Sequence, residues 1–127
     1  MNILFNECLQ ALKEYRVLSA EETLNVFKKI WAIAPTVPSG QIDWNKINHD
    51  LYDDPMDFFN SLSLSQRKQK VVLSWDNAEL PSGEATIEKI FLNLDNVECV
   101  SVHKYLLIDE SIVAEIGFVP QNFRVSL

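Results

Sequence analysis

The spacing of apolar residues changes character near residue 70, and that change sets the fold class. Before it they recur at helical intervals; after it they come in short β-branched runs broken by Pro, Gly and Asp. Residues 3–15, with Ile3, Leu4, Leu9, Leu12 and Tyr15, predict a first helix. Ser19-Ala20-Glu21-Glu22 reads as a capping box, in which the Ser19 hydroxyl accepts from the Glu22 N–H and the Glu22 carboxylate reaches back to Ser19. The helix that follows should bury Leu24, Phe27, Ile30, Trp31 and Ala34, turn Lys28 and Lys29 outward, and end near Ile33, ahead of Pro35. After a turn-rich connector, residues 36–40, Asp43 is placed to cap a short helix over 44–51, with Trp44, Ile47 and Leu51 on one face. Asp54-Pro55 starts another, with Asp57 at the positive end of its dipole and Met56, Phe58, Phe59 and Leu62 inward. Residues 65–70 read as an exposed link.

Beyond the link, residues 71–75 (Val-Val-Leu-Ser-Trp) predict a buried strand. Pro81-Ser82-Gly83 precedes a helix with Ile87, Ile90, Phe91 and Leu94 inward, and residues 97–102 predict a second strand. Residues 105–108 and 112–118 flank Asp109-Glu110-Ser111 as a hairpin, and 123–127 predict a final edge strand. The expected fold is α+β: N-terminal helices followed by a β-α-β-β-β mixed sheet in which the first two strands pair in parallel. The expected organisation is one domain, residues 1–127, with a helical half over about 1–64 and a sheet-containing half over about 71–127.

Charge narrows the function classes. Residues 71–127 carry nine acids against three bases, whereas residues 1–70 carry nine against eight, giving a net −7 for the chain. With a pI of about 4.7, such a chain repels phosphate backbones and membrane surfaces and attracts basic partners. The N-terminus shows no secretory pattern, and Cys8 and Cys99 stand 91 positions apart among apolar neighbours. Two buried free thiols and a cytoplasmic location are the expectation.

Catalytic motifs are scarce. With three glycines there is little material for a phosphate-binding loop, and no GxSxG or HExxH occurs. His49 and His103 form a conceivable acid–base pair, and either cysteine with either histidine a conceivable nucleophilic pair, but no cluster of cations accompanies them. Asp50, Asp53, Asp54 and Asp57 are oxygen ligands in number, yet no EF-hand spacing is present and Pro55 interrupts them. No cofactor and no metal are expected.

The use that remains for these acids is to face a basic protein. Residues 43–57 hold five acids and one base, interleaved with Trp44 and Tyr52. Carboxylates beside aromatic anchors are the composition of an electrostatically steered interface. Glu84 and Glu88, four residues apart on one helix face, make a second candidate patch. The candidate partner-binding set is therefore Trp44, Asp50, Tyr52, Asp53, Asp54, Asp57, Glu84 and Glu88.

Two stretches resemble bacterial contact-dependent growth inhibition (CDI) immunity proteins. One runs Ser19-Ala20-Glu21-Glu22, Phe27, Ile30-Trp31, Ala34-Pro35 and Gly40-Gln41-Ile42-Asp43-Trp44. The other runs from Val71 to Asp76, then Leu80-Pro81, Leu94-Asp95-Asn96-Val97 and Val100-Ser101-Val102, with Glu115-Ile116-Gly117-Phe118 beyond. The resemblance implies a non-enzymatic protein that binds and neutralises the C-terminal toxin domain of its own system, commonly a nuclease, in the cytoplasm. The acidic charge adds the expectation of no direct contact with nucleic acid or membrane. Two other readings of the residues stand beside the resemblance: an acidic interaction adaptor, and a small hydrolase or nuclease using His49 and His103.

Overall fold

The computed structural model describes residues 3–13, 15–76, 80–101, 103–117 and 121–127. Helices and one antiparallel sheet make up the described residues, so the α+β class holds. The strands are β1 (Arg16–Val17), β2 (His49–Tyr52), β3 (Lys70–Trp75), β4 (Gly83–Thr86), β5 (Lys104–Ile108), β6 (Ile112–Ile116) and β7 (Phe123–Ser126). Their order across the sheet is β1-β4-β3-β5-β6-β7-β2. The helices are α1 (Ile3–Leu12), α2 (Ala20–Ile33), α3 (Pro55–Asn60), α4 (Leu64–Arg67), α5 (Ile87–Leu92) and α6 (Leu94–Glu98).

Side chains alternate across a strand, so each central strand feeds two cores. Val71, Leu73 and Trp75 of β3, Leu106 and Ile108 of β5, and Ala114 and Ile116 of β6 pack with Phe5, Cys8 and Leu12 of α1, Phe58 and Phe59 of α3, Ile90 and Phe91 of α5, and Val97 of α6. On the opposite face Tyr105, Leu107 and Val113 meet Val26 and Ile30 of α2, together with Ala34, Ile42 and Trp44. Both faces are covered, which is why β3 and β5 read as continuous apolar runs. The β5–β6 hairpin is closed by the three residues Asp109-Glu110-Ser111, with Asp109 and Glu110 at positive φ (53° and 58°) and the Ser111 N–H donating to the Ile108 carbonyl at 3.3 Å.

Several expected elements differ. The parallel pair does not form: β3 lies between β4 and β5 and is antiparallel to both. Strand β4 stands where only a helix start was expected, because Gly-Glu-Ala-Thr has weak strand propensity and pairing with β3 overrides it. The helix expected over 44–51 is a single 3₁₀ turn, Trp44–Lys46, followed by β2. Trp44, Ile47 and Leu51 fit a helical spacing, but Ile47, His49 and Leu51 equally fit alternation, and the ladder to β7 decides. Residues 97–102 were expected as a strand. Helix α6 instead runs to Glu98, held where the Trp75 indole N–H donates to the Val97 carbonyl at 3.1 Å. Val102 and Phe118, each the end of an expected strand, lie outside the described residues.

The final strand is not an edge: β7 runs between β6 and β2. The first helix stops at Leu12, and the expected link over 65–70 contains α4 and the start of β3. Strands β1 and β2 both come from the half expected to hold helices and their connectors, with no strand. The face of α2 is as expected at Ile30 and Ala34, with Phe27 packed beside them, but it is shifted towards Val26. Val26, Ile30 and Ala34 are buried, whereas Leu24 and Trp31 are about half exposed. Of the two thiols expected to be buried, Cys8 is, and Cys99 is exposed.

Candidate partner-binding surface

The acidic residues of the first patch collect where the sheet ends. Among the described residues β2 pairs only with β7, in the register His49↔Ser126, Asp50↔Val125, Leu51↔Arg124 and Tyr52↔Phe123. Alternation sends Tyr52 to the α3 side, where its ring meets Phe58 and Phe123 edge-on or tilted, at centroid distances of 5.5 and 6.4 Å. Asp50, on the same side, is exposed. The chain then turns through Asp53 and Asp54 into α3. The Asp54 carboxylate accepts from the Met56 N–H at 2.9 Å, and Pro55 occupies the first helical position, where an N–H would go unused. Asp57 stands exposed in that first turn, at the positive end of a short helix.

Trp44 sits differently. Its ring is buried against α2, and its indole N–H donates to Glu115 Oε1 at 2.9 Å. It supports the β2 end of the sheet from beneath and does not project from it.

The second patch lies far from the first. Glu84 is on β4, five strand positions from β2, about 24 Å at ordinary strand spacing. Arg16 Nε donates to its carboxylate, and Arg16 Nη2 also lies 3.6 Å from Glu22. That hydrogen bond, with the two nearby acids, raises the Arg16 pKa. Glu88 lies in the first turn of α5 and is half-buried. Among the described residues, ion pairs engage Glu22, Glu84, Glu110, Asp43 and Glu115, and none engages Asp50, Asp53, Asp54 or Asp57. The two patches thus differ in kind: at one the carboxylate is matched from within the chain, and at the other the charges are left to solvent.

The two histidines come to the α2 face of the sheet, on either side of one carboxylate. His49 Nδ1 donates to the Ile47 carbonyl at 2.9 Å, which leaves Nε2 to accept from Arg124 Nη1 at 3.2 Å. His103 stacks on Tyr105 and lies 3.7 Å from the other oxygen of Glu115. Both ring nitrogens of His49 are therefore engaged by groups of the chain itself, an arrangement that fixes the ring. Sequence reasoning did not single out Glu115 or Arg124 here. The one available signal was a carboxylate within the apolar run Ile-Val-Ala-Glu-Ile, which alternation places beside Val113 and not on the exposed rim.

Lys104 is fully buried on the α1 side of β5. Desolvation draws its pKa below the ordinary lysine range, opposed by the nearby Glu98 and Glu115 carboxylates. Glu98 in turn accepts from Gln121 Nε2 at 2.9 Å.

A family model described as CdiI immunity protein, EcoliA0-like, matches residues 2–122. The chain belongs to that family. No curated relative matches it. As a CdiI immunity protein it answers to a cognate CDI toxin, and its role is that of a binding inhibitor. No helix among the described residues of this CdiI protein is long and apolar enough to cross a membrane.

Proposed function

We propose that this immunity protein acts in the cytoplasm, laying the acidic β2 end of its sheet over the substrate-binding region of a basic, nucleic-acid-cleaving toxin domain. The observation that carries this reading is the grouping of Asp50, Asp53, Asp54 and Asp57 at one sheet end, with no cation paired to them among the described residues. Like charges held together in this way raise a local negative potential, which speeds encounter with a basic surface and competes there with a polyanion. Tyr52 supplies apolar area beside the carboxylates, and Trp44 holds the strand from below. Glu84 and Glu88 form a separate and weaker patch, because Arg16 already answers Glu84.

The test is competition. A catalytically inactive form of the toxin domain encoded beside this gene should bind a labelled oligonucleotide and release it as the immunity protein is added. A ternary complex holding both would overturn the occlusion reading.

A further inference from the structure

We propose that an extended segment of the cognate toxin, alternating basic and apolar residues, adds to the free side of β2 as an eighth strand. This names the binding mode at the surface proposed above and rests on the reading that this end faces the toxin. The register supplies the first reason. The Leu127 N–H donates to the Asn48 carbonyl at 3.1 Å, and the Gly117 N–H to the Asn122 carbonyl at 2.8 Å. In an antiparallel ladder, hydrogen-bonded and non-hydrogen-bonded pairs alternate. Asn48–Leu127 is a bonded pair, so Asp50–Val125 and Tyr52–Phe123 are bonded too, whereas His49–Ser126 and Leu51–Arg124 are not. Starting from Gly117–Asn122, the β6–β7 ladder makes Glu115–Arg124 a bonded pair, which turns the Arg124 main chain towards β6 and agrees with this assignment.

The main-chain N–H and C=O groups of His49 and Leu51 therefore point away from the sheet. Among the described residues none of these four groups has a backbone partner outside the strand. A strand docking here would make its bonded pairs with His49 and Leu51 and bring a side chain close to Asp50 at a non-bonded position.

Charge and exposure choose the occupant. Asp50 is exposed on one side of β2, with Asp53 and Asp54 just beyond it, and they call for Lys or Arg on the incoming strand. Leu51, half exposed on the other side, offers apolar contact to the neighbouring position. A second copy fits poorly, since β2 paired with itself about a two-fold axis would bring the Asp50 carboxylates together. The opposite edge, β1, is two residues long and carries Arg16 already bound to Glu84, so it presents neither the length nor the charge.

Two measurements test the proposal with the intact chain and the toxin domain encoded beside its gene. Hydrogen exchange at the His49 and Leu51 amides should slow at least about tenfold in the complex, with a smaller change at Asp50 and Tyr52, which already belong to the β7 ladder. Leu51→Pro deletes one outward N–H, is tolerated on an edge strand, and should weaken the toxin Kd about tenfold relative to Leu51→Ala. Undiminished binding by Leu51→Pro, or a complex without new protection at either amide, overturns strand addition. If Leu51→Pro fails to fold, exchange on the wild-type complex decides alone. Loss of binding with Leu51→Pro, but indifference to charge reversal at Asp50 and Asp53, would retain the strand and overturn the acidic reading. A wild-type chain that dimerises through this edge, or does not bind the toxin domain, overturns both.

Discussion

A methyl group at position 83 would run into the Tyr15 ring. Gly83 opens β4, and its missing side chain is the space the Tyr15 ring fills as the chain leaves α1 for β1. Gly83→Ala should therefore destabilise by about 1–3 kcal/mol, as overpacking does, and Tyr15→Leu should recover part of that loss in a double-mutant cycle by denaturant unfolding. The cysteines give a second residue-scale test. Burial pushes the Cys8 thiol up to about 12, whereas Cys99 is exposed. At pH 8 an alkylating reagent should modify Cys99 in the native protein and reach Cys8 only after unfolding, read by mass spectrometry. The sign of the linkage is fixed: the unfolded thiol ionises near its ordinary value of 9.0, so Cys8 favours the native state below that pH. Its contribution falls as pH rises from there towards 12. Legibility at this scale followed chemistry that is local in sequence. Asp54-Pro55 and the Ser19 box were readable because a cap acts within three residues. The requirement for glycine at 83 was not, because the ring that imposes it comes from 68 positions away.

Helix α2 shows how far an element can be read and where that reading stops. Its start was legible: the Ser19 hydroxyl accepts from the Glu22 N–H at 3.1 Å, and the Glu22 carboxylate accepts from the Ser19 N–H at 3.1 Å. That second bond, with Arg16 nearby, lowers the Glu22 pKa. Ser19→Ala should cost about 1 kcal/mol, or roughly 3–5 °C in Tm. The inward face was legible only in part: Ile30 and Ala34 were expected inward and are buried, and Phe27 packs against them, but Leu24 and Trp31 complete as good a helical stripe as Val26 does, and only the sheet decides between them. Ile30→Ala should consequently cost about 2–5 kcal/mol, whereas Trp31→Ala should cost under about 1 kcal/mol, its ring being half exposed. Equal losses at the two positions in denaturant unfolding would mean the helix packs the other way round. The short strands β2 and β4 escaped sequence reading for the same reason. Four residues of weak propensity become strand only because a neighbouring strand supplies the ladder.

At the scale of the whole molecule, sequence order misplaces the charge. The excess of acids lies in residues 71–127, yet the carboxylates that have no cation partner among the described residues, at the β2 end, come from residues 50–57. The sheet order explains this inversion, because it carries β2 to one end and leaves β4, with Glu84, near the other. A toxin steered by this field should approach the β2 end. Asp50→Lys with Asp53→Lys should slow association with the cognate toxin domain about tenfold at low salt, an effect that shrinks towards 0.15 M as screening shortens the field. Asp54 is left in place in that variant because its carboxylate caps α3 and its loss would confound folding with binding. Glu84→Lys removes as much negative charge per site, but from a position Arg16 already answers. It should leave the association rate within about twofold. Stopped-flow association at two salt concentrations separates the cases. If Glu84→Lys slows encounter as much as the Asp50/Asp53 pair, net charge steers the toxin and the β2 end has no special part in it. If neither does, steering by these carboxylates is lost, and the free edge of β2 must hold the toxin by its main chain alone.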